Sequence, residues 1–537
     1  MSDSSEKAPI TCNVGGQDGA SGYSHQPPKT IDFFGSLALV ANNISGPAMM
    51  GLPAVFVTAG IIPTVVCILV VWVLSSLSGT MLSETIQKMP GNRNFDQNVD
   101  FSTTFASVVG KKWYTFVEIL IIVSCIVNAC AGLVETAQGL DSFLASYVIG
   151  STLGLKVGGS GVGIVEWDSS RCSGEGKHVS KTSTCTPFHN VHDGNVLSLG
   201  YLLCFLAFYP LGRNDLKETM IIQLVSFCFF FVLVFQFMRE FDTIGYPYLA
   251  KVPMWGSDWK QLAGVVLFNY AYPITIPSWL NEKKHDVPVN KIIWLSSFLA
   301  TFVYIVFSVA AASSFDNPGD DMLVVLASNK VSETTRIAAA SFGVAIIGSG
   351  VPVFCVIVRK QLDSSGMMSR SWAKFCGTLF PYLISWLMYQ GKTFIAMLNW
   401  TGLLVNGLIA FILPLSLALV AYRTNYGAER GMGFDADEGA EMSLRRLAAK
   451  GGLSPKYKYQ SISAAEDALP SPPQGTALST AAAAALSPRE ADGELVQPLF
   501  DFLEPLRGAI LTFGTAAFVL MIVSTIYIDA VGGQGPP

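Results

Sequence analysis

Residues 33–83 read FFGSLALVANNISGPAMMGLPAVFVTAGIIPTVVCILVVWVLSSLSGTMLS, a run of 51 positions without Asp, Glu, Lys or Arg. A helix needs about 20 apolar residues to cross about 30 Å of hydrocarbon, so this run holds two spans, and Gly60-Ile61-Ile62-Pro63 is the natural break between them. Nine more charge-free stretches follow at 119–134, 194–212, 219–238, 261–281, 292–315, 337–358, 375–391, 393–422 and 508–528. The second and third stretches probe the rule's edge: Glu118 and Glu135 bracket only 16 residues, so that span extends past a charge. The fold class expected is an all-α polytopic membrane protein with about eleven transmembrane helices, an odd number that puts the termini on opposite sides.

Composition agrees. Of 537 residues, 51% are hydrophobic and 14% charged, against about 25% charged in an ordinary soluble domain. Such counts exclude a soluble globule, a disordered chain, collagen and a coiled coil. The net charge of −5 offers no basic surface, so nucleic acid is not an expected partner.

Orientation follows from Lys and Arg in short loops. With the N-terminus in the cytoplasm, inward loops carry thirteen (Lys88, Arg93, Lys111, Lys112, Arg213, Lys217, Lys283, Lys284, Lys291, Arg359, Lys360, Arg370, Lys374) and outward loops six (Arg239, Lys251, Lys260, Lys330, Arg336, Lys392). A cytoplasmic N-terminus is therefore expected. Residues 1–30 are polar, without the apolar core of a signal peptide, and read as a disordered cytoplasmic tail. The transporter-like core runs over 31–422. Residues 423–504, rich in Ala, Ser, Pro and Gly, read as a disordered cytoplasmic loop, and 505–530 as the eleventh helix. Its Ser-Pro pairs and Tyr459-Gln460-Ser461-Ile462 arise readily by chance in a polar tract.

The non-cytosolic loop 146–193 holds Cys172 and Cys185 with His178, His189 and His192. Outside the cytosol disulfides persist, so a Cys172–Cys185 bond is expected. The order lacks the tight cysteine pairing of structural zinc, and no metal or cofactor is expected. No arrangement for covalent or acid/base catalysis and no phosphate-binding loop occurs, so an enzyme is not expected.

The first span places Asn42, Asn43, Ser45, Gly46 and Pro47 near mid-membrane. Pro47 has no N–H and Gly46 loosens the backbone, so the helix should open there. Opened backbone at membrane depth is tolerated only where protein buries it or where it lines a polar cavity. The sixth span repeats the pattern in Phe268-Asn269-Tyr270-Ala271-Tyr272-Pro273-Ile274-Thr275-Ile276-Pro277. Broken helices standing first and sixth imply two inverted five-helix halves plus one helix, the build of secondary transporters. Free helix termini and carbonyls between them suit a carboxylate and an ammonium group.

Those motifs resemble the amino acid/auxin permease family, members of the LeuT-like superfamily. The resemblance rests on Asn42 to Gly51 followed by Leu52-Pro53, on Phe268, Tyr270, Pro277 and Glu282 in the sixth span, and on Val351-Pro352-Val353 in the eighth. It implies a secondary active amino acid transporter working by alternating access, coupled to a proton or sodium gradient. The expected substrate-binding residues are Asn42, Ser45, Gly46, Ala48, Met49, Tyr270, Tyr272 and Thr275. The residues expected in cation coupling are Asn42, Ser349 and Glu135. Sodium-coupled relatives use the first-span asparagine and an eighth-span hydroxyl, and here Ser349 stands one position displaced. Proton coupling needs a titratable group, for which Glu135 is the candidate, on one helix face with Asn128, Gly132 and Gly139. The alternative is a sensor that binds amino acid and signals through 423–504 with little flux. Plasma membrane and vacuolar or lysosomal membrane are equally open.

Overall fold

The computed structural model describes residues 29–423, apart from 90–91, 98, 111, 159–160, 169–185, 189–190, 192–193, 214–215, 317, 320, 366–367 and 391–397, together with positions 512, 515, 516, 519 and 523. The 1–28 tail, most of 423–504, nearly all of the eleventh span, and Cys172, Cys185 and the three loop histidines lie outside the described residues.

Helices dominate. The first span is α1 (Phe33–Ile44), a single 3-10 turn (Pro47–Met49) and α2 (Leu52–Ala59), followed by α3 (Ile61–Gln87), α4 (Phe101–Val108) and α5 (Lys112–Phe143). After the 146–193 loop come α6 (Leu199–Leu211) and α7 (Leu216–Ile244). The sixth span is α8 (Leu262–Asn269), a 3-10 turn (Tyr272–Thr275) and α9 (Ile276–Glu282). Then follow α10 (Val289–Ser314), α11 (Met322–Leu326), α12 (Glu333–Phe342), α13 (Gly348–Ser365), α14 (Arg370–Thr378), α15 (Phe380–Leu387) and α16 (Leu398–Arg423). Among the described residues six helices are long and apolar enough to cross a membrane by themselves, and α1 and α6 are shorter apolar helices. The chain is an all-α polytopic membrane protein.

Side-chain placement follows from a lipid solvent. Val66, Leu69, Val70 and Val73 on α3, Val225, Val232 and Phe235 on α7, and Phe298 and Phe302 on α10 point outward. Serines and threonines sit between helices, where a neighbour satisfies them. On α3, Ser76 lies 2.9 Å from Ser297 of α10, and Ser78 donates to Ala410 O at 2.5 Å. Small residues permit close crossing: a Cβ on Gly264 would lie 2.0 Å from Asn399 Oδ1 and one on Gly402 2.1 Å from Gly264 O, so α8 and α16 touch backbone to backbone. The junction of the first two spans needs Gly60, whose φ of +95° disfavours any side chain and whose Cβ would strike Gly256 N at 2.4 Å.

The loop 146–193 and the start of the charge-free stretch 194–212 together form a three-stranded antiparallel sheet, order β2-β1-β3, from β1 (Thr152–Gly158), β2 (Gly161–Trp167) and β3 (Asn195–Ser198). Asp141 ties it to the bundle. This buried carboxylate accepts from Thr152 Oγ1 (2.6 Å), from the Gly200 N–H at the start of α6 (2.9 Å) and from Tyr389 Oη (2.5 Å). Three donors, one of them the backbone N–H at the start of α6, satisfy this buried carboxyl group.

Candidate functional site

Both expected helix breaks are present, and their hydrogen bonds explain them. In the first span, Ser45 N–H closes the last helical bond, to Ala41 O at 2.9 Å. Gly46 N–H turns aside to Ile44 O at 2.6 Å, and Pro47 has no N–H. The carbonyls of Asn42 and Asn43 thereby lose the donors that a continuous helix would give them. Tyr304 Oη, from α10, also donates to Ile44 O and fixes the end of α1. In the sixth span Pro273 removes the donor for Asn269 O in the same way, while Ser75 Oγ on α3 donates to Tyr270 O at 2.9 Å.

The two breaks meet at a cavity of about 30 Å³, room for about two waters. The first span contributes Asn42, Asn43, Ile44, Ser45 and Gly46, and the sixth Phe268 and Asn269. The third-span helix α5 adds Asn128 and Gly132, and the eighth span closes the wall with Ile346, Ile347, Gly350, Val351 and Phe354. Asn269 is buried, its Nδ2 donates to Val265 O at 3.2 Å, and its Oδ1 has no hydrogen-bond partner among the described residues. An orphaned amide oxygen in a cavity wall is an acceptor waiting for a donor.

Of the residues expected from sequence, Asn42, Ser45 and Gly46 line this cavity. Ala48 and Met49 are buried behind it. Tyr270, Tyr272 and Thr275 are also buried outside its lining. Tyr270 Oη lies 2.5 Å from Thr301 Oγ1, and Thr275 Oγ1 donates to Tyr272 O at 2.8 Å and accepts from Asn43 Nδ2 at 3.1 Å. Thr275 therefore reaches the cavity through Asn43.

The coupling candidates fall into two places. Asn42 and Ser349 are joined by a residue that sequence reasoning missed, Gln223 of α7. Asn42 Nδ2 donates to Gln223 O (2.7 Å) and Oε1 (2.8 Å), and Gln223 Nε2 donates to Ser349 O at 3.2 Å. Ser226, one turn along α7, lies 3.3 Å from Ser349 Oγ. An amide donor thus covers a carbonyl that would otherwise face the gap between the first and eighth spans. Glu135 is separate, one turn beyond Gly132 on α5, fully enclosed, with Oε2 lacking a hydrogen-bond partner among the described residues. Three or more His, Cys, Asp or Glu side chains grouped as a metal would need them do not occur among the described residues.

The end of the bundle where the sixth span finishes is stitched by backbone. Thr30 and Ile31 N–H donate to Glu282 O (3.0 and 3.1 Å), and Lys284 N–H to Ile31 O (2.8 Å). Asn281 pairs both ways with Val99 (3.1 Å each). Lys283 is buried there, its Nζ on the carbonyls of Lys284 and Val287 (3.3 and 3.2 Å) and over the Phe95 ring. Burial pushes its ammonium down to about 8; Lys29 adds to this, against Asp286 and Asp96.

A polytopic helical bundle with two interrupted helices around a polar cavity fits the family found by comparison. Residues 29–162 match the family described as transmembrane amino acid transporter protein. The match spans about a quarter of the chain, from the start of α1 through α5 to β2, and contains the first helix break, Asn128 and Glu135. It supports the amino acid/auxin permease family and an amino acid transporter function. Compared with curated proteins, the chain matches none.

Proposed function

We propose that the chain is a secondary active amino acid transporter that works by alternating access, with the cavity between the two helix breaks as its substrate site and a proton as coupling ion. The observation that carries this reading is the acceptor set at the breaks: the released carbonyls of Asn42 and Asn43 beside the unpaired Asn269 Oδ1. Such acceptors suit an α-ammonium group, and the amides that follow the first break suit the α-carboxylate. The cavity is too small for an amino acid as it stands, which corresponds to a closed state that must open on one side to load.

Proton coupling is favoured by Gln223. A sodium ion between the first and eighth spans needs oxygen ligands, whereas Ser349 O is here covered by the Gln223 amide donor. Glu135, enclosed and one turn from the cavity wall, is the acceptor for the proton. The two five-helix halves, the cytoplasmic N-terminus and a plasma membrane or vacuolar/lysosomal site belong to the same reading.

The test is flux of a panel of radiolabelled amino acids into vesicles containing the purified full-length chain. Accumulation is expected with an imposed proton gradient and not with a sodium gradient alone. Glu135→Gln should lose accumulation and keep exchange between labelled and unlabelled substrate. Binding without accumulation under either gradient would replace transport with the sensor reading.

A further inference from the structure

Outside the transport path, the sheet of the 146–193 loop carries an apolar face that nothing among the described residues covers. Leu153, Leu155 and Val157 alternate outward along β1, and the register sets Ile164 opposite Leu155 and Val162 opposite Val157 on that same face. Val162 and Ile164 are 71% and 78% exposed. The other face is the packed one, where Gly154 admits Val196 and Phe188. Alternating strands in water put polar residues outward, and here the pattern is reversed. Glu166, opposite Leu153 at the root of the hairpin, is the one acidic group on this face among the described residues, away from Val162 and Ile164.

Two observations fix what lies against it. The exposed apolar surface is continuous with that of the bundle: Tyr147, Val148 and Ile149, in the last turn of the α5 helix and just past it, are exposed and lead directly into β1. At the other edge β3 runs into α6, where Ser198 caps the helix by accepting from Tyr201 N–H at 3.1 Å. The 13 residues of α6 span about 20 Å and expose Leu202, Leu203 and Leu206, so exposed apolar surface begins within about one turn of Ser198 and of the sheet. A patch of this kind marks an interaction surface, and its nearest apolar neighbour is lipid.

We propose that this face of the β1–β2 hairpin rests on the lipid surface, with Val162 and Ile164 entering the boundary between headgroups and acyl chains. Lys156, half-buried on the opposite face of β1, points away from that lipid surface. The hairpin then acts as a float that sets the depth of α5 and α6, to which Asp141 binds it.

Fluorescence in vesicles tests the proposal. The full-length chain carrying Ile164→dansylalanine, and separately Lys156→dansylalanine, is reconstituted in phosphatidylcholine with a minor share of phosphatidylglycerol. A probe within about 5–10 Å of the acyl boundary is expected to emit to the blue and to lose about twofold intensity when lipids bear a nitroxide high on the chain. Iodide should quench the probe at 156 and spare that at 164. Equal iodide quenching at both positions overturns the proposal. So does a photo-crosslinker at 164 that joins two copies, which would make the face a self-association surface. Shielding of 164 in native membranes but not in vesicles of purified protein overturns it in favour of a protein partner.

Discussion

Gly46→Ala tests the substrate site with little risk to the fold. A Cβ on Gly46 would meet only Ile44 O, at 3.7 Å, which is ordinary contact, so the backbone has no reason to move. Gly46 lines the cavity, and the added methyl takes about one water's share of the roughly 30 Å³ there, near half the free space. Crowding a closely fitted site by one methyl costs about 1–3 kcal/mol. At about 1.4 kcal/mol per tenfold, substrate affinity should fall about 5- to 150-fold. Gly46→Val, with two more methyls, should abolish accumulation. Melting of the detergent-solubilised protein should stay within the roughly 0.5 kcal/mol of a neutral change. The assay is uptake and competition binding at matched protein in vesicles. An unchanged apparent affinity in the valine variant would place the substrate elsewhere. A large fall in melting temperature with alanine would make Gly46 a structural residue.

Three further outcomes follow from the geometry. Gly264→Val should destabilise the bundle by at least about 1–3 kcal/mol, because the new Cβ would lie 2.0 Å from Asn399 Oδ1 and 2.5 Å from Asn399 O, and backbone cannot retreat; thermal melting and folded yield report it. Gln223→Leu removes the amide donor on Ser349 O while Asn42 Nδ2 keeps the backbone carbonyl of residue 223, at a cost of about 1–3 kcal/mol for the one group uncovered; a melting shift with reduced flux is expected, partly restored by Gln223→Asn. Burial brings the Lys283 ammonium down to about 8 in the folded protein from its ordinary 10.5, so between those pH values the unfolded chain holds more protons and stability is expected to rise with pH. Lys283→Met should flatten that rise, measured as melting temperature against pH from 7 to 10.

Both helix breaks were legible in the sequence because proline and glycine act locally. Pro47 and Pro273 remove donors whatever surrounds them, and polar neighbours in an apolar run mark the depth. What the chain cannot show is rotation about the helix axis after a break. Tyr270 and Tyr272, expected at the substrate, lie outside the lining of this cavity: the Tyr270 hydroxyl turns to Thr301 of α10, and Tyr272 Oη lies beside Gly79 of α3. Asn269, adjacent in sequence, faces the cavity instead. The sheet was not read from the sequence, although Leu153, Leu155 and Val157 alternate ahead of Gly158 and Gly161, because one short alternating run does not by itself mark a strand pair and the cysteines of the same loop drew the reading to a disulfide.

Gln223 illustrates a deeper limit, and also explains the coupling argument. Asn42 and Gln223 are 181 positions apart, and a glutamine in an apolar helix carries no local mark of its partner. Taken alone, Asn42 and Ser349 read as two halves of a cation site with one half displaced. The intervening glutamine changes the chemistry without changing either residue: its Nε2 covers Ser349 O, while its oxygens accept from Asn42 Nδ2. If a sodium ion took Ser349 O as a ligand, Gln223 Nε2 would have to leave it. On the reading proposed above, Glu135 needs no such exchange, since its Oε2 has no hydrogen-bond partner among the described residues to give up when a proton arrives. That difference between the two events, rather than the presence of any single ligand, is the reason for proposing the proton.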